Sequence, residues 1–286
     1  MILLKKALRV TQNDILNLWS ELRFKICIFL IFLFTSIILE EVNHFAYRVG
    51  YKISPWLLPF IMNQRFMRVI LFSLFLFLIC EVPYSNSNQL FLLVRSGKIS
   101  FFIGKVIYLF ILSIVYTCII CLSSILIIIR HIDITMNWGK VLGTLTLTDA
   151  GADFNHSIKL NSNFILKFSP ANVYLLSFSL CVLSFFTLGL FVYVFNIIIS
   201  NRLIGNAVAA IIILFDFLLE TDIVYQRLIY LSPLTWSNTS LLDLRKNVTV
   251  YPSLFYSICG YLTLILLSIF IIIACGKRYG IDKIAN

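Results

Sequence analysis

Charge is what this sequence lacks most. Only 13% of its 286 residues are Asp, Glu, Lys or Arg, about half the share that soluble domains carry. Apolar residues make up 60%, and the mean hydropathy is +0.96. A water-soluble fold of this length still exposes much of its surface, which so few charges cannot cover. The bilayer is the solvent that fits. Histidine is also scarce: His44, His131 and His156 are the only three, all outside the apolar runs. That argues against metal ligation or general-base chemistry at a common depth between helices. Glu40, Glu41 and His44 make a carboxylate–histidine grouping, but the further histidines on other spans that an intramembrane metalloenzyme needs are missing. A phosphate-cradling Gly-x-x-x-x-Gly-Lys-Ser/Thr loop is absent too, since Gly104-Lys105 and Gly139-Lys140 lack the rest of the pattern. The chain is therefore not expected to be an enzyme, to hydrolyse ATP itself, or to bind a cofactor or metal.

The seven cysteines (Cys27, Cys80, Cys118, Cys121, Cys181, Cys259 and Cys275) each lie in or beside an apolar run, and none has zinc-type spacing with a histidine. Cys118-x-x-Cys121 sits inside a long apolar stretch. These read as small packing residues rather than a disulfide framework. The formal net charge of +10 comes from 23 Lys and Arg scattered between apolar runs. That pattern suits orientation signals and lipid headgroups, and no nucleic-acid partner is expected.

What is present in quantity is long apolar sequence. A helix needs roughly 20 apolar residues to cross the hydrocarbon core. Residues 101–129, 172–199 and 253–275 meet this and are hydrophobic all round. Three weaker runs complete the pattern. Residues 23–41 reach spanning length if Arg23 and Lys25 snorkel to one surface. Residues 64–83 need Arg65 and Arg68 at one interface and Glu81 at the other, and residues 203–219 contain Asp216. The expected fold is all-α: a single transmembrane domain, 1–286, with about six spans. Inner segments 1–25, 84–105, 200–202 and 276–286 hold 12 of the 23 basic residues in less sequence than the outer ones, so both termini are expected in the cytoplasm.

Three further segments have their own character. In residues 1–20, Leu3, Leu4, Ala7, Leu8, Ile15, Leu18 and Trp19 fall near helical spacing, with Lys5, Lys6, Arg9, Gln12 and Asn13 largely between them. This predicts an interfacial helix; no small-residue cleavage site follows the first apolar run, as a signal peptide would require. Residues 130–170 form a polar outer loop. Residues 223–236, broken by Pro233, read as a short re-entrant segment before the last span, which needs protein or water around it. Asn155, Asn238 and Asn247 head glycosylation patterns, which carry no meaning in a bacterium. Asn196 and Asn206 are expected to bond neighbouring helices. Gly205-x-x-x-Ala209 offers a small-residue face for close helix approach, within the chain or in a dimer. Asp216 reads as an interfacial acid near the outer end of its span.

The inner loop runs Asn88-Gln89, then Arg95-Ser96-Gly97-Lys98, then Gly104-Lys105 into a long span, and Tyr230-Leu-Ser-Pro233-Leu-Thr-Trp236 precedes the last one. In this order of elements the chain resembles the permease subunits of ATP-binding-cassette (ABC) exporters of the type-2 class, whose fold includes the G-subfamily half-transporters. The resemblance covers nearly the whole chain; the 130–170 loop departs from it. It implies a dimer of permease chains, a second copy or a different one, with a separate ATPase subunit under each that holds ATP and Mg. Arg95, Ser96, Gly97, Lys98 and Lys105 would form the coupling loop. Phe72, Phe75, Phe77, Ile211, Ile212, Phe215 and Asp216 would line a translocation path suited to an amphipathic, lipid-like or peptide substrate. Usage rich in Ile, Phe and Asn is like that of an AT-rich Gram-positive bacterium, which would put the chain in the plasma membrane. Two readings stand beside this one: a membrane immunity or assembly protein that transports nothing, and an ion-coupled carrier.

Overall fold

A computed structural model describes residues 2–82, 89–148, 165–166, 168–199, 202–219, 223–244 and 251–278. The glycosylation patterns at Asn155 and Asn247, and most of the polar part of the 130–170 loop, lie outside these. The described residues are helical throughout, with two isolated bridges and no strand. The α-helices are α1 (Ile2–Ser20), α2 (Leu22–Val49), α3 (Leu58–Asn63), α4 (Arg65–Ile79), α5 (Gln89–Ser96), α6 (Lys98–Ile128), α7 (Gly139–Leu147), α8 (Pro170–Ile199), α9 (Arg202–Leu219) and α10 (Leu254–Arg278). Four of them are long and apolar enough to cross a membrane: α2, α6, α8 and α10, with α9 a shorter apolar helix. These apolar helices are compatible with insertion into a bilayer.

α8 is the centre of the bundle, with most of its length buried, and α4, α6, α9 and α10 pack around it. It is apolar on every face, which is what a helix surrounded by other helices requires. α10 leaves Leu262, Leu266, Leu267 and Phe270 exposed, as a helix facing lipid would. Polar ties fix the direction of each element. Arg23 at the start of α2 meets Glu81 just past α4. Asn196 near the end of α8 donates to the Val82 carbonyl, and Asn206 near the start of α9 donates to that of Cys80. Phe102 near the start of α6 lies against Gly276 near the end of α10. Successive helices α2, α4, α6, α8, α9 and α10 therefore alternate in direction. The start of α6, beside α1 and α5, marks one end of the bundle; α3, α7 and the residue 223–244 turns mark the other.

The structure departs from the sequence reading in several places. α2 runs eight residues beyond the expected 23–41, to Val49, because Glu40, Glu41 and His44 continue the helix until Gly50 caps it. The expected 64–83 element is the shorter α4, and an extended Gln64 separates it from a further helix upstream, α3. α4 alone, with 15 residues, is about 22 Å long, well short of the roughly 30 Å hydrocarbon core. The 130–170 loop contains a helix, α7, that the polar composition concealed. The small-residue face of α9 is used inside the chain: a Cβ on Gly205 would overlap the Asn196 side chain. All seven cysteines are free, with Cys27, Cys121 and Cys181 buried.

Candidate functional site

Two buried ion pairs and an elbow stand out in a chain so poor in charge. The first pair joins Arg68 of α4 to Asp216 of α9, Nε to Oδ2 at 2.9 Å, with both side chains essentially inaccessible. The sequence expectation for Arg68 and Asp216, charges at interfaces, does not pair the two; the packing of α4 on α9 does. The reason lies one turn away. α3 ends at Asn63, leaving carbonyls without helical partners, and Arg68 Nη1 donates to the Met62 carbonyl at 3.1 Å. The Ser240 hydroxyl donates to Asn63 Oδ1. A break in a helix at membrane depth is tolerated only where such groups are bonded again. Arg68 does this, and Asp216 neutralises it. The second oxygen of Asp216, Oδ1, is buried with no hydrogen-bond partner among the described residues.

The 223–244 segment closes over this break as three 3-10 turns, Ile223–Leu231, Thr235–Ser237 and Thr239–Leu241. Residues 232–239 are all buried. Trp236 Nε1 donates to the Ile229 carbonyl at 3.0 Å, and the Tyr261 hydroxyl donates to that of Pro233 at 2.6 Å. Asn238 is buried and its Oδ1 accepts from the Ser240 amide at 3.0 Å. Its glycosylation pattern therefore offers no accessible acceptor.

The second pair lies at the other end. Lys105 Nζ of α6 is 2.9 Å from Asp14 Oδ2 of α1, both almost fully buried. The Lys105 ammonium also sits 5.4 Å from the Phe101 ring centre and 6.0 Å from that of Tyr108. The Thr11 hydroxyl donates to the Gly104 carbonyl at 2.9 Å. A Cβ on Gly104 would fall 2.8 Å from the Ala7 carbonyl oxygen and 2.9 Å from Val10 Cβ, so glycine here sets how closely α1 approaches α6. Lys105 therefore anchors α1 and is not on the exposed face of the coupling loop. Asp14 carries no recognisable signal in the sequence, where it reads as one more polar residue of an amphipathic helix.

The other residues of the expected coupling loop form an elbow. Gly97, at φ +85°, takes the left-handed region that glycine enters at little cost and turns α5 sharply into α6. The Ser96 hydroxyl donates back to the Leu92 carbonyl at 2.6 Å. Phe91, Val94 and Arg95 are exposed and Lys98 is half-buried. Near this end, Glu21 is partly buried, and that burial, followed by the charge of Glu81, raises its pKa above the ordinary 4.5. A raised carboxyl pKa makes the folded chain hold that proton more tightly than the unfolded chain. The stability it contributes is thus complete below pH 4.5 and is lost as pH rises through the folded value. Glu21→Gln is expected to flatten that loss in detergent melting curves, and an unchanged profile would exclude Glu21 as its source.

The residues expected to line a path divide into two groups. Phe72 and Phe75 are fully buried between α4, α6 and α8, where their rings meet Phe185 at 4.8 and 5.0 Å and Phe75 meets Tyr116 at 5.1 Å. Ring pairs at this spacing add to the stability of burial, so these two read as core. Phe77, Ile211 and Phe215 are exposed and Ile212 is half-buried. With Phe66 and Leu214, also exposed, they form outward stripes on α4 and α9. Among the described residues no cluster of three His, Cys, Asp or Glu is placed to hold a metal. A cleft of about 600 Å³ between Tyr51–Lys52 and Asp133–Lys140 carries both signs of charge. The class these features define is an all-helical chain with four helices long and apolar enough to cross a bilayer. Compared with protein-family models, curated proteins and solved structures, it matches none.

Proposed function

We propose that this chain is the membrane-spanning permease subunit of an ATP-driven ABC exporter of the type-2 class. In this reading α2, α3–α4, α6, α8, α9 and α10 make six spans, and the 223–244 turns are the re-entrant segment. The α1 end faces the cytoplasm of a plasma membrane, so both termini are cytoplasmic. Two permease chains, identical or different, meet along the outward stripes of α4 and α9. An amphipathic, lipid-like or peptide substrate moves between Phe77, Ile211 and Phe215. ATP and Mg belong to a separate ATPase subunit.

The observation that carries this reading is the elbow. A short helix with Arg95 exposed in its last turn bends at Gly97 into the long, half-buried α6, which packs against α8. A partner that pushes on α5 thus pushes on the centre of the bundle, because packed helices move as rigid bodies rather than deform. A pull-down of the C-terminally tagged protein in mild detergent is expected to recover a stoichiometric ATPase. Arg95→Glu/Lys98→Glu is expected to lose it while the chain stays folded. No ATPase with either form moves the weight to an immunity or assembly protein.

One observation favours the carrier reading instead. Discontinuous helices with ionisable groups at the break are where ion-coupled carriers bind their ions, and Arg68–Asp216 sits at such a break. Transport that follows an ion gradient without ATP would select it.

A further inference from the structure

The packing of α1 on α6 leaves two of its faces uncovered, and their chemistry is specific. The inward face is Ala7, Val10, Thr11, Asp14 and Leu18, all buried. Asp14, the only acid on the helix, is thereby removed from the surface. Outward lie Leu4, Leu8 and Trp19 on one side and Lys6 and Arg9 on the other, with Lys5 and Leu16 between them, all exposed. Lys25, at the start of α2, is exposed on the same end. Among the described residues no acid pairs with Lys5, Lys6 or Arg9.

We propose that this face of α1 is a binding site for acidic phospholipid headgroups, which hold the helix in the surface layer of the bilayer. Apolar side chains enter the acyl boundary while the flanking cations meet headgroup phosphates. An exposed Trp at the end of the helix suits the same depth, where indole rings concentrate. A soluble partner would match the cations but would leave the exposed Leu and Trp side chains in water. The lipid contact also reaches the elbow: Lys105–Asp14 and the Thr11–Gly104 bond fasten α1 to the first turns of α6, so the headgroups set the height of α5 against the membrane. This inference rests on the α1 end lying at a bilayer surface, not on ATPase coupling.

The test places a Trp reporter at Leu8, which is exposed between Lys5 and Arg9, and subtracts the emission of the parent protein. The full chain is reconstituted in vesicles that contain brominated phosphatidylglycerol or brominated phosphatidylcholine. Each basic residue near an anionic surface contributes roughly a fivefold preference. The reporter is therefore expected to favour the acidic lipid by about tenfold or more in low salt, and to lose that preference near 1 M salt. Lys5→Gln/Lys6→Gln/Arg9→Gln is expected to bring the ratio close to one, while Lys5→Arg/Lys6→Arg keeps it. No headgroup preference, or one that survives the triple substitution, overturns the proposal. If the triple variant keeps its preference but loses a captured ATPase, the face is a protein interface and the lipid site is wrong. Failure to capture any ATPase, with the preference intact, removes the exporter reading and leaves this one standing.

Discussion

Arg68→Met is expected to destabilise the folded chain by about 3–5 kcal/mol, the range for breaking one side of a buried ion pair. The loss has two parts. Asp216 is left as an unpaired buried group at zero exposure. The Met62 carbonyl at the end of α3 loses the guanidinium that bonds it, which alone is worth about 1–3 kcal/mol for a buried group. Asp216→Asn is expected to be comparably severe, because it leaves Arg68 charged and uncompensated. The double variant Arg68→Met/Asp216→Leu should recover the part of the loss that comes from the uncompensated charge, but not the part from the Met62 carbonyl. Melting curves of the parent, Arg68→Met, Asp216→Leu and the double variant in one detergent give the coupling energy as a double-mutant cycle. Single substitutions that cost under about 1 kcal/mol would mean that water reaches the pair. An Asp216→Asn protein that melts normally but no longer moves an ion would point to the carrier reading.

Lys105→Met is expected to release α1 without unfolding the rest. The substitution leaves Asp14 buried at the α1–α6 seam after its lysine is gone. A cost of about 3–5 kcal/mol, confined to one helix, corresponds to a rise of roughly 100-fold or more in its opening. Hydrogen exchange reads this directly, because local opening is reported amide by amide. The amides of α1 should lose protection while those of α8 keep theirs. Gly104→Val is expected to act in the same way by steric means, since its Cβ has no room against Ala7 and Val10. Unchanged α1 protection in both variants would show that α1 is held by lipid alone. Protection lost throughout the chain would make the pair a determinant of the whole fold. An exporter should also lose ATPase capture in these variants, because α5 packs against both α1 and α6.

Sequence alone determined the solvent and the class of element. A chain with 13% charged residues and repeated apolar runs has one stable arrangement in a bilayer, helices that satisfy their own backbone; the long runs appear as α6, α8 and α10, and the weaker 23–41 run lies in α2. Asn196 and Asn206 were legible as helix-to-helix donors for the same reason, since a polar amide among apolar neighbours must find a partner. Only the tertiary structure decided what the charges do. Arg68 and Lys105 stand at run edges in the sequence, where an interface is the cheapest place for a cation; their partners, Asp216 and Asp14, are 148 and 91 positions away. The same holds for Phe72 and Phe75, which are core, and Phe77, which is surface. One helix face separates them, and which face is covered depends on where α6 and α8 pack. Periodicity assigns residues to faces of a helix. Which face meets protein is set by non-local packing, and a single sequence does not display it.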